Sequence, residues 1–223
     1  MQRCGAVNSN VLLDPPDDGH LALVYDNNQE LDDAVSTYLN EGLRIGQLCV
    51  YATVHFRDDG HIKKFSSLIL DYEENVAKGN LLVVDLAPFY ISALLDDLKP
   101  FDDAKKLFAE KAQGRKDRRV RFVGDGTGFL FKNRHFEECA MVEKWWQEKP
   151  FSGSYLCPYP KQFLDAYPHD IHTKRLVVST HDAVLDASEA GTKGQPGGHQ
   201  RQSLMTEEMR SSKPKGNGGG ESI

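Results

Sequence analysis

Short apolar runs alternate with amphipathic stretches along most of the chain. In the first amphipathic stretch, apolar residues recur at intervals of three and four, at Leu31, Val35, Tyr38, Leu39 and Leu43. This spacing is typical of a helix with one buried face, and the short apolar runs are typical of buried strands. Six strands are predicted, at residues 21–25, 47–54, 81–85, 120–124, 154–157 and 175–179.

The alternation of strands with amphipathic helices predicts an α/β fold. Buried apolar strands pair in parallel and their helical crossovers are right-handed, so helices cover both faces of the sheet. We therefore expect a three-layer, doubly wound, mostly parallel sheet over residues 19–186. Residues 1–18 end in a turn-rich Asp and Pro segment and are expected to form a flexible N-terminal extension. Residues 187–223 hold eight of the 19 glycines and few large apolar residues, so a disordered C-terminal tail is expected.

The first strand runs into its helix through a turn that has neither glycine nor Lys. A phosphate loop at this place needs glycines, whose backbone N–H groups close on the anion, and a Lys that meets its charge. The turn instead carries Asp26 and Glu30, which would repel a polyphosphate, and Asn27 with Glu30 predicts a capping box. The sequence therefore argues against nucleotide hydrolysis.

The charge balance and the cysteines narrow the class of protein. With 27 basic and 33 acidic residues the net charge is −6, so no direct nucleic-acid partner is expected. The four cysteines form no CxxC pair and are interpreted as reduced thiols. No apolar run has the length of a signal peptide or of a membrane span, so the protein is expected to be cytoplasmic, without membrane contact.

Chemistry-bearing side chains follow the predicted strands. In an open α/β sheet, ligands bind beyond the carboxyl ends of the strands. Aromatic rings, a His, carboxylates and a thiol would meet there, and this mixture suits a small, partly apolar ligand better than a triphosphate. The alternative is that these residues are ordinary helix caps and turn residues. The candidate ligand-binding residues are Tyr25, Asp26, His55, Asp85, Asp125, Cys157 and Tyr159.

Motifs for nucleotide binding, metal binding, partner docking and catalysis are incomplete or unspecific in this sequence. Asp85 and the glycine cluster at 124–128 resemble parts of a nucleotide site, but the Lys loop and the GxGxxG order are missing. His169 and His172 have an HxxH spacing, but zinc needs three or four fixed ligands, so no metal is predicted. The basic run at 115–121 is interpreted as solvated or as docking to an acidic partner. No catalytic constellation is recognisable, and neither an enzyme nor a cofactor is predicted.

Five segments together carry a family resemblance. They are the opening at 19–25, the segment at 38–51, the strand at 120–124, Cys-Pro-Tyr at 157–159 and Ser-Thr-His at 179–181. These segments are similar to the MEDS domain, the methanogen/methylotroph, DcmR-type sensory domain, over residues 19–186. The resemblance implies a RecA/KaiC-like core that lacks the Walker A loop and senses small molecules, thought to include hydrocarbon derivatives.

The resemblance also points to individual residues. It implies ligand-binding roles for His20, Tyr25, Cys157, Tyr159 and His181. His20 precedes the first predicted strand and His181 follows the last, which would place both at the edge of the sheet. The alternative is that the two histidines are structural hydrogen-bonding groups.

The function expected from these observations is non-catalytic sensing. The domain would bind a small molecule at the carboxyl-end rim of the sheet and relay a change to a partner protein, such as a histidine kinase or a transcriptional regulator. One alternative is a degenerate KaiC-like nucleotide-binding protein that uses Asp85 and residues 124–128. Another is a protein-interaction module that binds no ligand.

Overall fold

The protein is built on one parallel β-sheet, as seen in a computed structural model that describes residues 10–148, 152–166, 177 and 179–190. Within these residues the strand order is β3-β2-β4-β5-β1-β6, and every neighbouring pair is parallel. The predicted α/β fold is confirmed. The strands are β1 His20–Tyr25, β2 Leu48–Thr53, β3 Leu81–Asp85, β4 Val120–Gly124, β5 Gly153–Pro160 and β6 Ala183–Asp186.

Helices cover both faces of the sheet. The first face packs against α1, α2 and α3, and the opposite face packs against α5, α6, α7 and α8. The described helices are α1 Asn10–Leu13, α2 Asn28–Ile45, α3 Asp59–Leu68, α4 Tyr72–Ala77, α5 Ala87–Leu94, α6 Lys99–Gln113, α7 Gly126–Lys132, α8 Phe136–Glu148, α9 Lys161–Ala166 and α10 Ala187–Ala190. The three-layer arrangement follows because each strand is apolar on both sides.

Strand β1 shows how the sheet distributes its side chains. Leu21 and Leu23 belong to the core beneath α2, whereas Ala22 and Val24 belong to the core beneath α5–α8. Successive side chains of a strand point to opposite faces, so His20 at the start of β1 shares the α5–α8 face with Ala22.

The turn between β1 and α2 confirms the predicted cap. Asn27 Oδ1 accepts hydrogen bonds from the backbone N–H groups of Gln29 and Glu30, at 3.0 and 3.1 Å. The carboxylate of Glu30 reaches back and accepts from the backbone N–H of Asp26 at 2.9 Å. The side chains of Asn27 and Glu30 therefore accept hydrogen bonds from backbone N–H groups that, in a phosphate loop, would bind the anion.

The last strand lies later in the sequence than predicted. Residues 183–186 form β6 beside β1, whereas Val177 and Ser179 of the predicted strand at 175–179 are helical, and the remainder of that segment lies outside the described residues. Both segments are short and apolar. Their local pattern cannot decide which of them lies alongside β1.

The N-terminal segment takes part in the core. Leu12, expected in a flexible extension, is 2% exposed. The buried Arg121 guanidinium donates hydrogen bonds to the carbonyl oxygens of Leu12 and Leu13, at 2.9 and 2.7 Å. The basic run at 115–121 was expected to be solvated or to dock a partner. Arg121, its last residue, is instead buried and forms hydrogen bonds inside the fold.

The outer parts of the chain are described only in part. Residues 1–9 and the predicted tail from 191 onward lie outside the described residues. Ala187 is buried, so folded structure extends past the predicted boundary at residue 186. Across the described ranges, no helix has the combined length and apolar character that crossing a lipid bilayer requires.

Candidate functional site

The structure divides the nine candidate residues into two groups. Five of them lie at the carboxyl-end rim, where they were predicted: Tyr25, Asp26, His55, Asp85 and Asp125. The other four, His20, Cys157, Tyr159 and His181, lie in the interior on the α5–α8 face.

The rim carboxylates hold local structure in place. Asp85 accepts a hydrogen bond from the backbone N–H of Ala87, at the start of α5, at 2.9 Å. It also forms an ion pair with Arg57 at 3.2 Å. Asp125 accepts from Thr53 Oγ1 at 2.6 Å and from the backbone N–H of Val54 at 2.9 Å. Burial raises the pKa of Asp125, although these two hydrogen bonds oppose the shift.

The glycine cluster behind Asp125 serves packing. A Cβ atom at Gly128 would lie 2.1 Å from the carbonyl oxygen of Pro158, so only glycine lets α7 approach β5 this closely. Helix α7 begins at Gly126, directly after the rim. The close packing of α7 on β5 explains the glycine at position 128, so an anion-binding role is not needed to explain it.

The remaining rim residues are more exposed to solvent. Tyr25 is half-buried, and its pKa is raised to about 12, first by burial and then by the charge of Asp125. Asp26 Oδ1 lies 4.0 Å from the Lys161 ammonium, and the His55 ring lies 5.2 Å from the ring of His61. Their role in ligand binding stays a prediction.

The expected positions of the interior residues need correction. Cys157 and Tyr159 were placed at the end of the fifth strand, but β5 continues to Pro160 and buries both. The pairing of β5 with β4 ends at Leu156, so the missing N–H groups of Pro158 and Pro160 interrupt no hydrogen bonds on that side. His181 precedes the last strand instead of following it, because that strand is β6.

These interior residues surround the carboxylate of Glu143, which α8 directs into the same core. Glu143 Oε2 lies 2.9 Å from His20 Nε2 and 3.4 Å from His181 Nε2. Cys157 Sγ lies 3.4 Å from His20 Nε2. Tyr159 donates its hydroxyl hydrogen to the other carboxylate oxygen, Oε1. We call His20, Glu143, Cys157 and His181 the buried quartet.

Backbone carbonyls set the proton positions on the two histidines. His20 Nδ1 lies 2.8 Å from the carbonyl oxygen of Thr180, and His181 Nδ1 lies 2.6 Å from that of Val177. A carbonyl only accepts, so each Nδ1 carries the proton and donates it. In the neutral ring, each Nε2 then presents a lone pair towards Glu143 and Cys157.

Burial and charge fix the ionisation of the quartet. Burial raises the pKa of Glu143, but His181, His20 and the Tyr159 hydroxyl outweigh it and hold that pKa at about 2. Burial lowers the pKa of His181 and raises the pKa of Cys157 well above its ordinary value. At neutral pH the quartet therefore holds a carboxylate, a neutral His181 and a thiol.

Glu143 was missing from the sequence-based candidates. It lies four residues after Cys139 and three before Trp146, which places it on the buried stripe of α8. A carboxylate on the apolar side of an amphipathic helix was the available signal, because charged side chains are almost never fully buried unless paired.

An apolar cavity of about 50 Å³ lies on the same face of the sheet as the quartet. Its floor includes Ala52, Val84 and Gly124, near the carboxyl ends of β2, β3 and β4. Cys157 lines the cavity as well, so one side chain borders both features. Aromatic rings from the covering helices form much of the wall: Phe89, Tyr90, Phe101, Phe108, Trp145 and Trp146.

One cationic group enters this wall. Lys105 of α6 is buried, and its ammonium lies 4.0 Å from the ring centre of Trp145 and 4.7 Å from that of Trp146. The electron-rich ring faces stabilise the ammonium where little water reaches it. The side chain of Lys105 therefore contributes to a wall that is almost entirely apolar, with its ammonium packed on the tryptophan rings.

Comparison with known families gives a match over most of the chain. Residues 19–182 match the model of MEDS, described as the methanogen/methylotroph, DcmR sensory domain. A search among curated proteins finds no match.

Proposed function

Because the chain belongs to the MEDS family of sensory domains, we propose that it senses a small, largely apolar molecule in the cavity beneath α5–α8. The ligand class agrees with the hydrocarbon derivatives that the family resemblance implies. The observation that carries this proposal is the aromatic wall of the cavity together with the buried Lys105.

The cavity volume limits the size of the ligand. About 10–15 Å³ of such volume accommodates one water-sized group, so 50 Å³ suits a molecule of about three to five heavy atoms. A largely apolar molecule would gain from leaving water for this wall.

Binding is proposed to be non-catalytic. Apart from the two tryptophans, the polar side chains among the described lining residues are Tyr90, Lys105, Thr127 and Cys157. The raised pKa of Cys157 keeps the thiol protonated, and a thiol is a poor nucleophile compared with a thiolate.

The relay is proposed to run through the covering helices. Residues of α5, α6, α7 and α8 line the cavity, so a ligand that separates them shifts their packing against the sheet. The proposed recipient is a partner protein, such as a histidine kinase or a transcriptional regulator. A ligand can drive this change only by binding one arrangement of the helices more tightly than the other.

Thermal unfolding of the full chain tests the proposal. The probes are short alcohols, ketones and hydrocarbons of three to five heavy atoms, with ATP and ADP plus Mg²⁺ in separate samples. At a ligand concentration about 100 times Kd, binding stabilises the native state by about 2.7 kcal/mol, which raises Tm by about 5–10 °C.

A cavity-filling variant makes the test specific. Ala93 of α5 is 1% exposed and lines the cavity, so Ala93→Leu places a side chain where the ligand would bind. This variant is expected to remain folded and to lose the ligand-dependent rise in Tm. A rise with nucleotide but with no small apolar probe would overturn the proposal in favour of a nucleotide-binding domain.

A further inference from the structure

We infer that His20, Glu143, Cys157 and His181 form a four-ligand binding site for Zn²⁺. The inference stands on the geometry of the quartet and does not depend on which molecule enters the cavity. Each residue offers one ligand atom, and these four atoms lie within 4.8 Å of one another. All four residues are buried, at most 7% exposed.

Two of the separations between these atoms match tetrahedral coordination, and the others lie within 4.8 Å. Zinc–ligand bonds of about 2.0–2.3 Å place tetrahedral ligand atoms about 3.3–3.8 Å apart. The measured separations from His181 Nε2 to Glu143 Oε2 and from Cys157 Sγ to His20 Nε2 are both 3.4 Å. The 2.9 Å from His20 Nε2 to Glu143 Oε2 needs a small outward movement.

The hydrogen bonds around the quartet orient its lone pairs inward. A zinc-bound His commonly donates its other ring N–H to a backbone carbonyl, as His20 and His181 do to Thr180 and Val177. Tyr159 holds Oε1 of Glu143, which leaves Oε2 directed at the two histidines. The residues that would support a metal site are therefore in place around these ligands.

Hydrogen bonding within the quartet leaves atoms unsatisfied. Glu143 Oε2 and His181 Nε2 are buried, and among the described residues neither has a hydrogen-bond partner of acceptable geometry. With both Nδ1 atoms protonated, the facing Nε2 and Oε2 atoms are all acceptors in the neutral-ring form. A cation between them satisfies these lone pairs at once.

The charges of the quartet match a buried divalent ion. Two neutral imidazoles, one carboxylate and one thiolate carry two negative charges, so bound Zn²⁺ gives a site with no net charge. On binding, Zn²⁺ exchanges its water ligands for the four side-chain atoms, and the Cys157 thiol loses its proton to solvent as the Zn–S bond forms. The mixture of nitrogen, sulfur and oxygen donors is typical of zinc, whereas Mg²⁺ and Ca²⁺ prefer oxygen donors alone.

The ligands come from separate parts of the fold. His20 lies on β1, Glu143 on α8, Cys157 on β5, and His181 just before β6. Bound zinc would therefore fasten the last strand and α8 to the middle of the sheet. Its thiolate ligand would also border the apolar cavity.

The first measurement uses the full wild-type chain without a histidine tag, purified from zinc-supplemented cells and dialysed into metal-free buffer. Elemental analysis is expected to find one zinc ion per chain. Co²⁺ exchanged into the site is expected to give the visible bands of tetrahedral cobalt and a near-ultraviolet thiolate-to-cobalt band. A chain that is folded by circular dichroism yet binds neither Zn²⁺ nor Co²⁺ would overturn the inference.

Matched cysteine variants locate the site. Cys157→Ser removes the thiolate ligand and is expected to abolish the thiolate-to-cobalt band. Cys139→Ser changes another buried cysteine, whose sulfur lies 3.8 Å from the Tyr159 hydroxyl, and is expected to keep both the band and the zinc. The reverse pattern would assign the thiolate elsewhere and refute this quartet.

Two further variants leave all four proposed ligands in place, so their zinc content tests the site without removing a ligand. Tyr159→Phe leaves all four ligands and is expected to weaken zinc binding by about tenfold without changing the stoichiometry. A double variant, His169→Gln with His172→Gln, removes the HxxH pair that lies outside the described residues. This variant is expected to bind zinc as the wild type does, and loss of its zinc would overturn the inference.

Discussion

At the scale of single residues, Glu143 is a charged side chain that is fully buried in the core. Its carboxylate is fully buried, and the transfer of an unpaired charge from water costs several kcal/mol even after relaxation. His181, His20 and Tyr159 outweigh this cost and keep the carboxylate ionised. Such a group persists in a core that apolar residues could fill more cheaply, which supports a functional role for the quartet.

Asp117 shows a different use of a carboxylate, near the surface. It accepts hydrogen bonds from Arg119 Nη2 at 2.8 Å and from Gln47 Nε2 at 2.9 Å. The Arg119 side chain is the main cause that lowers the pKa of Asp117 from 3.8 to about 2. The folded state therefore favours the ionised form more strongly than the unfolded chain does.

This lowered pKa predicts a pH dependence. The contribution of Asp117 to stability is full above its unfolded pKa of 3.8 and is lost as the pH falls towards about 2. Asp117→Asn is therefore expected to flatten the fall in unfolding free energy across this acid range, measured by urea denaturation at several pH values. The control is Asp103→Asn, which removes an exposed carboxylate paired with Lys99. Equal acid slopes for wild type and Asp117→Asn would contradict the assignment.

At the scale of elements, Arg121 joins α1 to the rest of the fold. Besides Leu12 and Leu13 of α1, its guanidinium donates to the carbonyl oxygen of Tyr38 at 2.9 Å and to Gln47 Oε1 at 2.6 Å. A Cβ atom at Gly42 would lie 2.6 Å from the Arg121 side chain, so the glycine makes room for it. This contact explains why the chain has a glycine at position 42 of α2.

Removal of the guanidinium is expected to be costly. Arg121→Met keeps most of the apolar stem but leaves several buried acceptors without a donor, so the free energy of unfolding should fall by about 3 kcal/mol. Chemical denaturation followed by circular dichroism measures this loss. The matched control is Arg44→Met on the surface of α2, where Arg44 pairs with Glu41 in solvent and little or no loss of stability is expected. Comparable losses in the two variants would refute the role of Arg121.

Local signals account for the elements that the sequence predicted. The spacing of Leu31, Val35 and Tyr38 specifies α2, and Asn27 with Glu30 specifies its start, because these residues interact within one or two helical turns. Strand β6 was misplaced because its identity depends on pairing with β1, which lies far away in the sequence. Strand β5 was predicted too short, since Pro158 and Pro160 read locally as the end of a strand.

The site was less predictable than the fold for the same reason. The family resemblance pointed to His20 and His181, and both the resemblance and the predicted strand end pointed to Cys157 and Tyr159. Neither predicted that these residues meet in the interior. Glu143, which links them, reaches His20 across more than a hundred residues of sequence. Only the packing of α8 on the sheet brings these groups together.

At the scale of the whole molecule, the two faces of the sheet differ in content. The face beneath α2 is filled by apolar side chains and by the structural Arg121 network. The opposite face holds the apolar cavity, the buried Lys105 and the quartet. Cys157 belongs to both the cavity and the quartet, so a ligand in the cavity would touch a residue whose neighbours reach the edge strand β6.

Lys105 offers a test of what the cavity recognises. Lys105 lines the cavity and its ammonium packs on the tryptophan rings of the wall, so a ligand acceptor atom that reaches this ammonium would interact with it at low local dielectric. Lys105→Met keeps an unbranched apolar side chain of similar length. This variant is expected to lose the preference for alcohols and ketones over hydrocarbons of equal size, a change of about tenfold in relative Kd, because a hydrogen bond to a charged group contributes about 1.5 kcal/mol or more.

The control for Lys105 is another lysine beside an aromatic ring. Lys132 is exposed on α7, and its ammonium lies 5.7 Å from the ring centre of Phe163, away from the cavity lining. Lys132→Met removes the same charge from the chain but should leave ligand selectivity unchanged. If both variants alter selectivity equally, the effect reflects the net charge of the protein. If neither does, polar ligands do not reach Lys105, and the cavity selects by size and apolar contact alone.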